Sequence, residues 1–79
     1  MKLEERVIAI IKEQIEDIEE ITPTSRLEED LGIDSFGVLM IIDGIEDSYK
    51  ITVEEDSLKG IETVLDIVEV LRKKYGIQR

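Results

Sequence analysis

The residues with usable chemistry cluster in one short segment, LGIDSF, from Leu31 to Phe36. Asp34 is a good N-cap, because its carboxylate can accept a bond from an orphan backbone N–H of a helix beginning at Ser35. The Ser35 hydroxyl then lies exposed at a helix N-terminus. A phosphate on it would meet unpaired N–H groups and the positive end of the helix dipole. Gly32 lets the chain turn and leaves room for an approaching enzyme. By itself, Asp-Ser before an apolar helix is a capping signal and nothing more.

What the chain lacks narrows the chemistry. It has no histidine and no cysteine. Disulfides and thiolate metal sites are excluded, and so are the Ser-His-Asp arrangement and the commonest zinc ligand. Ser35 therefore has no internal activator and fits a substrate for modification better than a nucleophile of its own. An independent enzyme is not expected. The clusters Glu28-Glu29-Asp30 and Glu54-Glu55-Asp56 lack calcium-loop spacing and read as solvated surface, not a metal site.

The chain has 79 residues, read as one domain over 1–79, with 20 acidic and 10 basic residues and a net charge of −10. Between Leu27 and Leu58 there are ten acids and a single base, Lys50. This charge argues against nucleic acid and anionic membrane and favours basic protein partners. Charges interrupt the apolar pattern of MKLEERVIAIIKEQ, unlike a signal peptide. The longest apolar run, Val38 to Ile42, is too short to cross a bilayer. The expectation is a soluble, cytoplasmic monomer.

The elements that would position Ser35 follow from periodicity. Leu3, Val7, Ile10, Ile11, Gln14 and Ile18 share one side of a helix, giving a first helix over Leu3 to Ile18. The stretch EEITPTSRLEEDLGID breaks any period and reads as an ordered loop carrying function, pinned by Ile21, Leu27, Leu31 and Ile33. The second helix begins at Ser35 and ends near Tyr49. A loop with a short helical turn at about Ser57 to Ile61 follows. Thr63 and Asp66 form a weak capping box for a last helix, and Gly76 suits its end. The fold class is all-α: three long helices, one short, with a long loop between the first two.

The second helix has two apolar faces. Val38, Ile41, Ile42, Ile45 and Tyr49 fall in a stripe of roughly 100°, the width of a buried face. Phe36, Leu39 and Met40 point the other way, flanked by Asp43, Glu46 and Asp47. The expected partner surface is this apolar patch with its acidic rim.

The segment EEDLGIDSFGVLMIIDGIEDSYKITVEED resembles the centre of the acyl carrier proteins. Leu31, Gly32, Asp34 and Ser35 match that family's Leu-Gly-x-Asp-Ser-Leu signature, with Phe36 in place of the usual leucine. Asp30 matches the acid before it, and Tyr49, Ile51 and Val53 match the aromatic and apolar pair after the helix. TVLDIVEVL resembles the family's last helix. The resemblance implies a four-helix bundle, and 4′-phosphopantetheine attached to Ser35 with Asp34 and Gly32 beside it. It implies loading from coenzyme A by a separate magnesium-dependent phosphopantetheinyl transferase. Acyl thioesters would then move between acyl ligases, synthases or transferases with basic docking patches, in fatty-acid, polyketide or related biosynthesis. Val38, Ile41, Ile42, Ile45, Leu58, Ile61 and Ile67 become candidates to line an acyl cavity. Gly37 and Met40 stand where the family favours acids, a hint of a specialised carrier. The alternatives are an aminoacyl carrier, for example of D-alanine, and a noncovalent helical interaction module using Phe36, Leu39 and Met40.

Overall fold

Leu3, Val7, Ile10 and Ile11 recur every three or four residues, and a helix stacks them on one buried face. The computed structural model describes residues 2–15 and 20–78. In it this helix, α1, spans Leu3–Gln14. It is shorter than the expected Leu3 to Ile18, and Ile18 lies outside the described residues. Ile15 leaves the helix in an extended conformation (φ −120°, ψ 119°) and reaches toward Gly37.

Helix α2 spans Ser35–Tyr49 and α3 spans Val64–Tyr75. Between them lies a single 3-10 turn, Glu55–Leu58. The all-α expectation holds, but the fourth helix is this one turn, placed earlier than Ser57 to Ile61. The Ser57 N–H bonds to the Glu54 carbonyl, and Gly60 (φ +80°) leaves helical space before Ile61. Among the described residues the extended pairing is one isolated bridge, Arg26 with Thr63.

Helix α1 packs against both α2 and α3. The core joins its buried stripe to Ile41, Ile42 and Ile45 of α2 and Val64, Ile67, Val68 and Leu71 of α3. The long first loop contributes Ile21, Leu27 and Ile33, all buried, with Leu31 half-buried beside them. Each large aliphatic side chain so buried contributes roughly 1.5–3 kcal/mol.

Local signals set the helix ends. Thr63 and Asp66 exchange bonds at the start of α3: Asp66 N–H donates to Thr63 Oγ1 at 3.1 Å, and Thr63 N–H to Asp66 Oδ2 at 3.0 Å. Asp66 Oδ2 also accepts from the Glu62 N–H at 2.8 Å. These bonds, the Glu62 one foremost, hold the Asp66 carboxyl below its usual range against the opposing effect of burial. Gly76 closes α3 in the left-handed region (φ 66°).

Candidate functional site

The first loop is clamped to the start of α3. Leu27 N–H donates to the Glu62 carbonyl at 2.8 Å, Leu65 N–H to the Pro23 carbonyl at 2.8 Å, and Val64 N–H to the Ser25 carbonyl at 3.2 Å. Two orphan N–H groups of α3 thereby find partners in the loop. The chain then turns from Arg26 to Leu31, with Arg26 N–H bonded to Asp30 Oδ2 at 2.8 Å. Gly32 (φ +68°) supplies a left-handed step that other residues adopt at a cost. Ile33 drops into the core, and α2 begins.

At that start Asp34 is the N-cap, accepting the Gly37 N–H at 2.9 Å through Oδ1. Ser35 follows as the first helical residue and is exposed. Among the described residues nothing hydrogen-bonds its hydroxyl, and the N–H groups of Ser35 and Phe36 have no protein partner. The other serines differ. Ser57 is buried against Tyr75, and Ser25 is half-buried with its hydroxyl accepting from the Thr22 N–H. Ser48 is exposed, but it sits near the other end of α2. Ser35 alone pairs a free hydroxyl with a helix N-terminus.

Two grooves of about 320 Å³ open beside Ser35, and both include Val38 and Ile61 in their walls. One runs toward Arg26 and Glu62, the other toward Leu39 and Leu58. No Cα of α2 lies within 8 Å of a Cα of α3 or of the 3-10 turn, so side chains alone bridge this side of the bundle. Of the expected cavity residues, Val38, Leu58 and Ile61 line the grooves. Val38 is half-buried and not part of a sealed stripe. Ile42 lines an adjoining depression with Leu58, whereas Ile41, Ile45 and Ile67 are sealed in the core. These residues suit a phosphate-bearing pendant group: a free hydroxyl, unpaired N–H donors for its phosphate, and adjacent concave surface for its length.

The expected partner face is only partly a face. Phe36 is 70% exposed and Leu39 53%, with Asp43 and Asp47 exposed beside them. Met40 is half-buried, because the loop after α2 folds back beside it. Glu46 is half-buried, and its Oε2 accepts the Val53 N–H at 2.7 Å. Its carboxylate therefore holds that loop in place.

Other features escaped the sequence reading. Gly37 is buried, and a Cβ there would sit 2.6 Å from Ile33 Cγ2. A Cβ on Gly44 would sit 2.9 Å from Ile10 Cγ2. Both glycines admit close packing, which their seven-residue spacing on one helix face could have signalled. Tyr75 Oη accepts the Glu54 N–H at 2.8 Å and meets Ser57 Oγ at 3.1 Å, tying the 3-10 turn to α3.

The chain matches the phosphopantetheine attachment site family over residues 5–77. It is 36% identical to an acyl carrier protein of Desulforapulum autotrophicum, over 94% of this chain and 99% of that one. It is 37% identical to an acyl carrier protein of Saccharopolyspora erythraea, over 84% of this chain and 70% of that one. A solved structure from Mycobacterium tuberculosis, assigned as an acyl carrier protein, superposes with a TM-score of 0.78 at 29% identity. That match covers 86% of this chain and 92% of the other.

Proposed function

The chain belongs to the acyl carrier protein family and carries acyl groups on a covalent 4′-phosphopantetheine; on that premise we propose that the arm is attached to Ser35. The observation that carries this reading is the free Ser35 hydroxyl at the capped start of α2, with two unpaired N–H groups beside it and two grooves leading away. In loading, Ser35 Oγ attacks the β-phosphorus of coenzyme A. The phosphoanhydride bond breaks, and adenosine 3′,5′-bisphosphate leaves. The hydroxyl proton passes to a base on the transferase, since no histidine or cysteine here can take it. Asp34 fixes the helix start and Gly32 the turn that presents it. The arm supplies the thiol that this cysteine-free chain lacks.

The chain itself acts as a carrier and not as a catalyst. Aliphatic cargo lies against Val38, Leu39, Leu58 and Ile61, on the side where α2 stands apart from α3. This favours acyl over aminoacyl cargo, since Val38, Leu39, Leu58 and Ile61 offer an ammonium group no partner and Glu55 is the one carboxylate lining that groove. Partner enzymes with basic patches dock on Phe36 and Leu39 and on the exposed carboxylates Asp43 and Asp47 further along the helix. Among the described residues no helix is long and apolar enough to cross a membrane. A monomer working in the cytoplasm accords with the uneven negative charge.

The test is intact mass after incubation with coenzyme A, magnesium and a broad-specificity phosphopantetheinyl transferase. The parent and Ser48→Ala should each gain one phosphopantetheine, and Ser35→Ala should gain none while keeping the parent's helical circular dichroism. A folded Ser35→Ala protein that still loads would place the arm elsewhere.

A further inference from the structure

The two grooves that diverge from Ser35 differ in chemistry. The first is rimmed by Arg26, Glu28 and Glu62 above a floor of Leu27 and Ile33. The second is walled by Leu39 and Leu58, with Glu55 as its one charged residue. We propose that the unloaded arm rests in the first groove and aliphatic cargo in the second, so that the side of Ser35 on which the arm lies reports its loading. This rests on the reading that Ser35 carries the arm.

The arm's composition selects the groove. Between phosphate and thiol it has two amides, a hydroxyl and a geminal dimethyl group. Each amide has a donor and an acceptor to satisfy. The first groove offers guanidinium donors from Arg26, carboxylate acceptors from Glu28 and Glu62, and an apolar floor for the methyl groups. Arg26 is the one base lining either groove. It holds ion pairs to Glu29 and to Asp30, the latter at 3.6 Å, which keep its side chain over the turn. In the second groove Leu39 and Leu58 offer the amides no partner and Glu55 can accept from N–H groups alone, so the amide carbonyls would lose bonds to water without replacement. An aliphatic chain has the opposite preference, because apolar area removed from water is favourable wherever it is buried.

The first groove is also the better organised. Its two walls are joined by the Leu27 N–H to Glu62 carbonyl and Val64 N–H to Ser25 carbonyl bonds, which together make the Arg26–Thr63 bridge. A site already formed does not spend binding energy on ordering itself. The arm is tethered at the groove's edge, so its effective concentration there is on the order of millimolar and weak contacts suffice to seat it.

The experiment compares backbone amide shifts of the apo, phosphopantetheine-bearing and octanoyl-loaded protein. Intact mass first confirms each state, with Ser35→Ala alongside. Failure to load is thus seen before any shift is read, and it overturns the attachment reading, not the groove assignment. In loaded protein, apo to phosphopantetheine conversion should move the amides of Leu27, Glu28 and Glu62 as well as those of Asp34–Gly37. Methyl protons of the arm should show Overhauser contacts to Leu27 or Ile33. Octanoyl loading should return the Leu27 and Glu62 amides to their apo positions and move Leu39, Glu55 and Leu58. In Arg26→Gln the apo-to-phosphopantetheine shift at Glu62 should be lost. Shifts confined to Asp34–Gly37, or unloaded-arm shifts at Leu39 and Leu58, would overturn the proposal.

Discussion

The two sides of α2 are built in opposite ways. Toward α1 and the end of the first loop the packing is close: a Cβ on Gly44 would collide with Ile10 of α1, and one on Gly37 with Ile33 of the loop. Toward α3 and the 3-10 turn no Cα pair comes within 8 Å, and grooves lie between the side chains that bridge the gap. One side is a fixed wall and the other a seam. A carrier needs this division, because the helix that presents Ser35 must keep its position while something beside it yields to cargo.

The comparison breaks if the two sides respond alike to truncation. Ile41 is fully buried, so Ile41→Ala should cost about 2–5 kcal/mol in chemical denaturation. Ile61, half-buried on the seam, has a lip to lose and not a packed site, and Ile61→Ala should cost under about 1.5 kcal/mol. Equal costs would mean the seam is packed as tightly as the core. Gly37→Ala sharpens the same contrast. Overpacking against Ile33 costs about 1–3 kcal/mol, offset by at most about 1 kcal/mol of helix propensity. The variant should therefore melt lower than the parent, although alanine is the better helix former.

How much of this was legible in the sequence depends on range. The start of α2 at Ser35, its Asp34 cap, the Thr63–Asp66 box and the Gly76 stop are local signals, and the structure has each where the sequence predicts it. Glu46 and Met40 were read as outward because helical periodicity places them opposite the core stripe. Their surroundings are set by the loop after Tyr49, which folds back to place Val53 on Glu46. Periodicity within one helix carries no information about that return. Arg26 was missed because its place beside Ser35 depends on the bridge to distant Thr63. At Gly37 helix propensity registers what glycine lacks and not the neighbour, Ile33, that needs the space.

Smaller effects probe the latches on the seam. Tyr75→Phe removes the acceptor of the Glu54 N–H and the partner of buried Ser57. It should cost about 1 kcal/mol and speed hydrogen exchange at Glu54 and Ser57 while leaving α1 unchanged. A loss of protection spread over α1 would mean the two sides unfold as one. The smallest effect concerns acid. The carboxyl pKa of Asp66 is lowered in the folded state, so its contribution is present above the unfolded value and lost as pH falls through the folded one. Asp66→Asn should be less stable than the parent at neutral pH, and the gap should close below about pH 4, read by thermal melts across the range. A gap that persists in acid would assign the loss to packing, not to the carboxylate.

Native-state hydrogen exchange, with and without an octanoyl group on the arm, tests the contrast between wall and seam most directly. The account predicts altered protection from Val53 to Ile61 and at Val38 and Leu39, with the amides of α1 unchanged. Equal change in α1, or no change anywhere in a protein shown by mass to be fully loaded, would contradict it.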